Sequence, residues 1–129
     1  MIKTGILNPA INSLVSRVRH TNTLIVADRG FPSWPALETV DISLVDNVPT
    51  VLEVLHALLP NVSFGRAYLA EEFEMQNSVQ SIDNLKAALA GIELVILPHS
   101  DLKKLVPAAT GLIRTGDALP YANIILESA

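Results

Sequence analysis

The sequence predicts a single layered α/β domain. Apolar runs of strand length alternate along the 129 residues with stretches of helical periodicity, which is the pattern of strands and helices packed in layers. Hydrophobic residues make up 50% of the chain and charged residues only 17%, which indicates a sheet buried on both faces, a large subunit interface, or both. No repeat, low-complexity tract or linker divides residues 1–129, so one domain is expected.

The composition excludes several classes of function. Cysteine is absent, which rules out disulfides, thiolate nucleophiles and cysteine-ligated zinc and fits a reducing compartment. The formal net charge is −4, and the nine Lys and Arg residues are scattered, which argues against a nucleic-acid partner. No apolar run approaches the roughly 20 residues that span a bilayer, and Asn8 and Pro9 interrupt any signal-peptide pattern. We therefore expect a cytoplasmic protein without a membrane partner.

The chain begins with a short extended piece over Lys3–Leu7 and then a helix. Asn8 is placed as its N-cap, with Pro9 at the first helical position. Apolar residues at helical spacing continue this amphipathic helix to near Arg19. His20 would then follow the negative end of the helix, where carbonyl charge favours an imidazolium.

The next segment is the clearest strand, and polar groups flank it. A β-branched apolar run lies between His20 and Asp28, and Asp28 stands at the carboxyl end, where open α/β sheets place their ligands. The loop 29–35 that follows contains one glycine and two prolines, which exclude regular structure. We expect a rigid loop at the ligand edge of the sheet.

A strand with one exposed face is predicted over Val40–Leu44, followed by a turn over Asp46–Pro49. Within that turn Asn47 tolerates a positive φ. Thr50 is expected to cap a helix over residues 51–59 that Pro60 closes.

Phe64–Ala70 is the next strand candidate, and the acidic stretch 71–74 follows it. These carboxylates either complement the dipole of a helix that starts there or belong to a site, and the first interpretation is favoured. Ser78 or Ser81 would cap the next helix, which Gly91 ends.

The last third of the chain repeats the strand–helix pattern. A strand over 92–97 leads into Pro98-His99, and Ser100 is expected to cap a short helix through Leu105. Strands over Gly111–Arg114 and Asn123–Leu126 complete the sheet.

The polar residues expected in strand-end loops form one candidate site: His20, Asp28, His99, Lys103, Tyr121 and Asn123. Lys103 shares a helix face with His99 if the helix begins early enough. Carboxylate and amide groups can bind adjacent hydroxyls, tyrosine offers a stacking face, and histidine transfers protons near neutral pH, which suits a small polyhydroxylated ligand. Neither a glycine-rich phosphate loop nor a nucleophile elbow is present.

Other polar residues have competing interpretations. His56 lies inside a predicted helix and is interpreted as structural, because the Glu53–His56 pair occurs once and a carboxylate-bridged metal site needs that motif twice. A zinc site of His20, His99 and Asp28 is a weaker alternative. Trp34 is either a sugar-stacking platform or an interface anchor, and the sequence does not choose.

Six segments in order along the chain resemble the D-ribose pyranase and L-fucose mutarotase family. They are Lys3–Asn8, His20 through Asp28, Ile42–Pro49, Ala70–Glu72, Ile113–Gly116 and Pro120–Leu126. The pairing of H-T-x-x-L-x-V-x-D near the start with I-R-T-G and P-Y-A-N-I-x-L near the end is more specific than any lone motif here.

The resemblance implies a cofactor-free and metal-free enzyme that interconverts ring forms of a free monosaccharide, D-ribose in the first place. It implies a three-layer α/β/α subunit with a mixed, mostly parallel sheet, assembled into pentameric rings or decamers with sites at subunit interfaces. His20 would be the general acid/base. The groups that would bind the sugar are Asp28, His99, Lys103, Tyr121, Ala122 and Asn123. L-fucose or another monosaccharide is the alternative substrate, and a non-catalytic sugar-binding or transport-accessory protein is the alternative of another class.

Some positions depart from the family pattern. Arg29 stands where ribose members usually have a small residue, the segment Phe31–Pro35 is bulky, Asn47 replaces a common glycine, and Glu127–Ala129 replaces the usual apolar tail. The first three bear on which sugar is bound, and the last bears on how subunits meet. A strand of ~3.3 Å per residue also places Asp28 about 16 Å beyond Thr23, so His20 reaches a sugar on its own Asp28 only if the chain folds back. A site completed by a neighbouring subunit would remove that difficulty.

Overall fold

Six strands form one sheet, and five α-helices cover its two faces; the computed structural model describes all of residues 1–129. The strands are β1 Thr23–Ala27, β2 Thr39–Asp41, β3 Phe64–Ala70, β4 Glu93–Leu97, β5 Gly111–Arg114 and β6 Ile124–Ser128. The helices are α1 Pro9–Val15, α2 Val51–Leu58, α3 Glu71–Gln76, α4 Val79–Ala88 and α5 His99–Leu105, with a 3₁₀ turn at Val106–Ala108.

The strand order is β2-β5-β1-β6-β3-β4, and only β6 runs against its neighbours. β1 pairs with β5, β5 with β2, and β3 with β4, all in parallel. The mixed, mostly parallel sheet is therefore confirmed. The carboxyl ends of the five parallel strands point to one edge, which is the edge where Asp28 follows β1 and His99 follows β4.

Two hydrophobic clusters lie on opposite faces of the sheet, as period-2 alternation requires. Leu24 and Val26 of β1 join the larger cluster, with side chains from α1, α2, α3 and α4. Ile25 and Ala27 join the smaller cluster, with Leu102 of α5 and the loop before β2. This arrangement confirms the three-layer α/β/α prediction.

The predicted helix starts are confirmed where a side chain caps its own helix. Asn8 accepts the N–H groups of Ala10 and Ile11 at 2.9 and 3.0 Å, ahead of Pro9. Thr50 and Glu53 form a reciprocal capping box at α2. Of the two serines considered for α4, Ser78 is the cap.

The first helix is shorter than predicted and ends at Val15 instead of near Arg19. The Ser16 hydroxyl and the Arg17 guanidinium both donate to the Ser13 carbonyl. The Arg17 and Val18 N–H groups donate to carbonyls three residues earlier, as in a tightened last turn. Val18 is nevertheless buried. Its apolar side chain packs in the core although its backbone is not part of the helix.

Two strands end at residues other than those predicted. β2 ends at Asp41 instead of Leu44 because the Asp41 carboxylate accepts the Ser43 backbone N–H at 3.0 Å and turns the chain. β6 runs on to Ser128, whose N–H donates to the Asn22 carbonyl. No strand forms over residues 3–7. Asn47 has φ 63°, as predicted, and its side chain accepts the Ala118 N–H at 3.0 Å.

Candidate functional site

A cavity of about 270 Å³ opens at the carboxyl edge of the sheet, between the end of β1 and the start of α5. Its lining residues are Asp28, Gly30, Phe31, Pro32, His99, Lys103, Pro120, Tyr121 and Asn123. Five of these were predicted as sugar-binding groups from the sequence, and they come from three distant parts of the chain. The structure therefore brings together most of the predicted set.

Asp28 and Asn123 are joined by a reciprocal pair of hydrogen bonds on the cavity floor. The Asn123 side-chain oxygen accepts the Asp28 backbone N–H at 2.8 Å, and the Asn123 amide donates to the Asp28 carboxylate at 3.1 Å. The Gly30 N–H donates to the other carboxylate oxygen at 2.9 Å. Asp28 is 9% exposed, and burial raises the pKa of its carboxyl against these hydrogen bonds, which lower it.

α5 presents two basic side chains to the cavity. His99 is its first residue and Lys103 lies one turn later on the same face, as the early helix start allows. Burial lowers the pKa of the His99 imidazole, and the neighbouring Lys103 charge lowers it further. The buried His99 Nδ1 has no hydrogen-bond partner within the chain. A neutral imidazole is therefore favoured near pH 7, with an unpartnered polar atom beside the cavity.

Tyr121 forms the wall opposite α5. Its ring meets the His99 ring edge-on, with centroids 5.0 Å apart and planes at 79°. Its backbone has φ 59°, a left-handed conformation that is costly for a bulky residue and that concentrates at functional sites. The Asn77 side chain holds this segment in place by donating to the Pro120 carbonyl at 2.9 Å.

Sequence reasoning missed the part of the wall formed by Gly30, Phe31 and Pro32, although it predicted a rigid loop here. Arg114 anchors this loop, because its guanidinium donates to the Phe31 carbonyl at 2.9 Å and pairs with Asp41 at 3.3 Å. The loop lies beside the Asp28 carboxylate and is stiffened by proline. That rigidity was the one sequence signal that could have identified these residues as lining groups.

His20 does not line this cavity. It is exposed in the turn that precedes β1, whereas Asp28 follows β1, so the whole strand lies between them. The Thr21 N–H donates to the Ser128 carbonyl and fixes this turn at the opposite edge of the sheet. Because α1 ends at Val15, the expected contact of His20 with a helix C-terminus is absent. A zinc site of His20, Asp28 and His99 is not assembled within one subunit.

Three further sequence candidates lie apart from the cavity. The Ala122 side chain is 2% exposed, belongs to the larger core cluster and lines a second cavity on the other side of its segment. Trp34 packs against the smaller core cluster. His56 is exposed on α2, as a structural histidine can be. No three His, Asp or Glu side chains are grouped in a way that could hold a metal ion, and none of the helices is long and apolar enough to cross a membrane.

Together the cavity offers a carboxylate, an amide, an imidazole, an ammonium and a phenol around a space of small-molecule size. Asp28 and Asn123 can bind neighbouring hydroxyl groups, and Lys103 can donate to a hydroxyl or ring oxygen. A model of the RbsD / FucU transport protein family matches residues 1–129. The chain belongs to this family.

Relatives of known name lie within the same family. The chain is 38% identical over 128 residues to the D-ribose pyranase of Limosilactobacillus reuteri, covering 99% of this chain and 97% of that protein. It is also 38% identical to the D-ribose pyranase of Geobacillus kaustophilus, covering 99% of this chain and 93% of that one. Both matches run almost from end to end.

Solved structures of family members have the same fold. The structure of Bacillus subtilis RbsD complexed with D-ribose superimposes with a TM-score of 0.93 and 29% identity, covering 100% of this chain and 98% of that one. The fucose mutarotase of Streptococcus pneumoniae, solved in complex with L-fucose, gives 0.83 at 16% identity over 99% and 98% of the two chains. The second likeness concerns the fold alone.

Proposed function

We propose that this protein is a sugar ring-form isomerase that interconverts the pyranose and furanose forms of free D-ribose. The observation that carries the proposal is the cavity in which Asp28, His99, Lys103, Tyr121 and Asn123 converge. The relatives at 38% identity are named D-ribose pyranases, and the structure that superimposes at 0.93 holds D-ribose, which supports ribose as the sugar.

Each lining group has a role that follows from its chemistry. Asp28 and Asn123 bind adjacent hydroxyls of the sugar, with the carboxylate held by Gly30 and Asn123. His99 and Lys103 contact ring or hydroxyl oxygens from α5, and Tyr121 covers one face of the ring. Ala122 contributes by packing its methyl group in the core, which fixes the backbone between Tyr121 and Asn123.

The reaction requires proton transfers and one bond exchange. A base removes the proton from the anomeric hydroxyl while an acid protonates the ring oxygen, so that the bond between the anomeric carbon and the ring oxygen breaks and an aldehyde forms. After rotation, a different hydroxyl adds to the carbonyl, losing its proton as the carbonyl oxygen gains one. No electrons are transferred overall, so acid and base groups alone suffice.

We place His20 as the proton shuttle, donated by a neighbouring subunit. His20 is exposed at the edge of the sheet opposite the cavity, and about 16 Å of strand separates the two edges. Contact between His20 of one copy and the cavity of another requires a homo-oligomer, for which a pentameric ring or a decamer is proposed. Three exposed apolar side chains in the segment between β2 and α2, Leu44, Val45 and Val48, support a subunit interface. The cytoplasmic location stays a prediction.

Exchange NMR on D-ribose tests the proposal directly. Magnetisation transfer between the pyranose and furanose anomeric signals should be accelerated by the protein, and His20→Ala should remove the acceleration. His56→Ala is the matched control, because that histidine is also exposed but lies on α2. Exchange at the buffer rate would exclude catalysis. Shifted sugar signals with unchanged exchange would favour the non-catalytic binding protein.

Subunit mixing tests whether the site spans two copies. His20→Ala and Asp28→Asn subunits, each with reduced activity alone, should recover activity when unfolded together and refolded, because some cavities then receive both intact residues. If the mixed subunits recovered no activity, a site shared between two subunits would be contradicted. The same exchange measurement on L-fucose and other monosaccharides decides which sugar is the substrate. This choice is open because Arg29 and the bulky Phe31–Pro35 loop depart from the ribose members of the family.

A further inference from the structure

The acidic segment that begins α3 distributes its carboxylates among different partners. Glu74 pairs with Lys86 of α4 at 2.6 Å. Glu71 is exposed and has no hydrogen-bond or ion-pair partner in the chain. Glu72 is half-buried and points across the sheet edge to the start of α5. The favoured interpretation of this segment, a complement to the dipole of its own helix, therefore leaves Glu72 unexplained.

Glu72 supplies the cap that α5 lacks. The residue before α5 is Pro98, whose side chain cannot accept a hydrogen bond, and the predicted cap Ser100 is already inside the helix. The Glu72 carboxylate accepts the His99 backbone N–H, with its two oxygens at 2.9 and 3.2 Å. The carboxylate thus satisfies one of the N–H groups that every helix leaves free at its start, and it lies at the positive end of the helix dipole.

The capped residue is itself a lining residue of the cavity. His99 carries the imidazole that faces Tyr121, and Lys103 follows one turn later on the same face of α5. Resting on the sugar-isomerase function proposed above, we propose that Glu72 is a positioning residue that fixes His99, and through α5 also Lys103, relative to the bound sugar. It acts from the far side of the helix start and is not among the residues that line the cavity.

The charge of Glu72 also acts on the imidazole. The groups that face His99 are Lys103 on its own helix, Glu72 from α3, Asp28 at the end of β1, and the uncharged ring of Tyr121. Burial and Lys103 lower the pKa of His99, whereas Glu72 and Asp28 raise it. Removing the Glu72 charge should therefore lower the pKa of His99 further.

Three variants separate positioning from general stability. Glu72→Gln keeps an oxygen that can accept the His99 N–H and removes the charge. Glu72→Ala removes both, and Glu71→Ala is the matched control one residue earlier on the same helix. Imidazole titration by NMR without substrate, with the His99 signal assigned through His20→Ala and His56→Ala, reports the charge. D-ribose exchange, measured at low and at saturating sugar, reports the positioning.

We expect the pKa of His99 to fall in Glu72→Gln and in Glu72→Ala but to stay unchanged in Glu71→Ala. The catalytic efficiency should fall about tenfold in Glu72→Ala, because His99 and Lys103 are then no longer held in place relative to the sugar, and should be largely restored in Glu72→Gln. A His99 pKa that is the same in wild type and Glu72→Gln would overturn the proposal. Where wild type accelerates ribose exchange, equal acceleration in Glu72→Ala and Glu71→Ala would also overturn it. If Glu72→Ala does not fold, the titration of Glu72→Gln decides, and it does so even if ribose is not the substrate.

Discussion

Two buried aspartates lie at the same edge of the sheet, and their surroundings differ. Asp117 is 3% exposed, and its carboxylate accepts the backbone N–H groups of Val51 at 2.9 Å and Leu119 at 2.8 Å. Asp28 is 9% exposed, accepts one backbone N–H and one side-chain amide, and faces the cavity. Asp117 ties the start of α2 to the loop after β5, whereas the Asp28 carboxylate shares its cavity with His99 and Lys103.

The difference teaches how to separate structural from functional buried charge. A carboxylate whose bonds all go to backbone N–H groups of two elements is a structural clamp, and its loss leaves those groups unpaired. The second kind of carboxylate has a pKa that burial raises, lies beside an open cavity and is held by a side chain from a distant part of the chain. Such a carboxylate is a candidate for binding or catalysis. Neither burial nor residue type distinguishes the two.

The largest expected effect is the loss of stability in Asp117→Ala. Two buried or half-buried N–H groups lose a charged acceptor at about 1–3 kcal/mol each, so the free energy of unfolding should fall by about 3 kcal/mol. Urea denaturation followed by circular dichroism measures it. A fall of under about 1 kcal/mol would show that water replaces the carboxylate and that Asp117 is not a clamp.

Asp28→Asn should have the opposite profile, with activity lost and the fold retained. The new amide can still accept the Gly30 N–H, but its NH₂ group then faces the Asn123 amide, which is fixed through the Asp28 backbone. Loss of a charged hydrogen bond to the sugar, at about 1.5–3 kcal/mol, predicts a fall of about tenfold to a hundredfold in the efficiency of ribose exchange. Unchanged exchange, measured beside a urea curve that confirms folding, would remove Asp28 from the site.

The pH dependence of stability should distinguish Asp28 from an ordinary paired carboxylate. Its folded pKa lies above the unfolded value of 3.8, so its contribution is fully present below that pH and is lost as the pH rises through the raised folded pKa. The stability of wild type relative to Asp28→Asn should therefore decrease from pH 4 upward. Asp41 is the control: hydrogen bonds from Ser43 lower its pKa, so its contribution is lost as the pH falls. If the stability of wild type relative to Asp41→Asn followed the same pH trend as its stability relative to Asp28→Asn, the raised pKa of Asp28 would be contradicted.

Arg29→Ala should have the smallest effect. Arg29 follows Asp28 directly, but its side chain is 54% exposed and pairs with Asp46 at 2.6 Å outside the cavity. Exposed ion pairs contribute about 0.2–1 kcal/mol, so both stability and ribose exchange should change little. A marked change in sugar preference across a panel of monosaccharides would instead show that Arg29 acts on the bound sugar.

Much of the site could be predicted from the sequence because parallel strands bring their carboxyl ends to one edge. Asp28 after β1 and His99 after β4 meet there whatever the sequence distance between them. His20 could not be placed in the same way, since it precedes β1 and lies at the other edge. The role proposed for it in the reaction requires a second subunit, because the whole length of β1 separates His20 from the cavity of its own chain.

A helix cap could be predicted from the sequence only when the capping residue directly precedes the helix. Asn8, Thr50 and Ser78 each cap the helix that follows them. The capping bond spans only two or three residues, so a short sequence pattern is enough to predict it. Ser100 was predicted for α5 on the same logic and is not the cap. Glu72 takes that place from 27 residues earlier in the chain, across two neighbouring strands.

The amino-acid sequence by itself determined the layered α/β class, most of the strands and the residues that end them, because hydrophobic period and capping chemistry act over a few residues. Tertiary structure decided which polar groups share a cavity, that the Asp117 carboxylate accepts two backbone N–H groups while the Asp28 carboxylate pairs with Asn123 beside that cavity, and that Glu72 accepts the His99 N–H. These depend on distances between segments far apart in the chain. Strand order and helix packing set those distances, and no local pattern of residues encodes them.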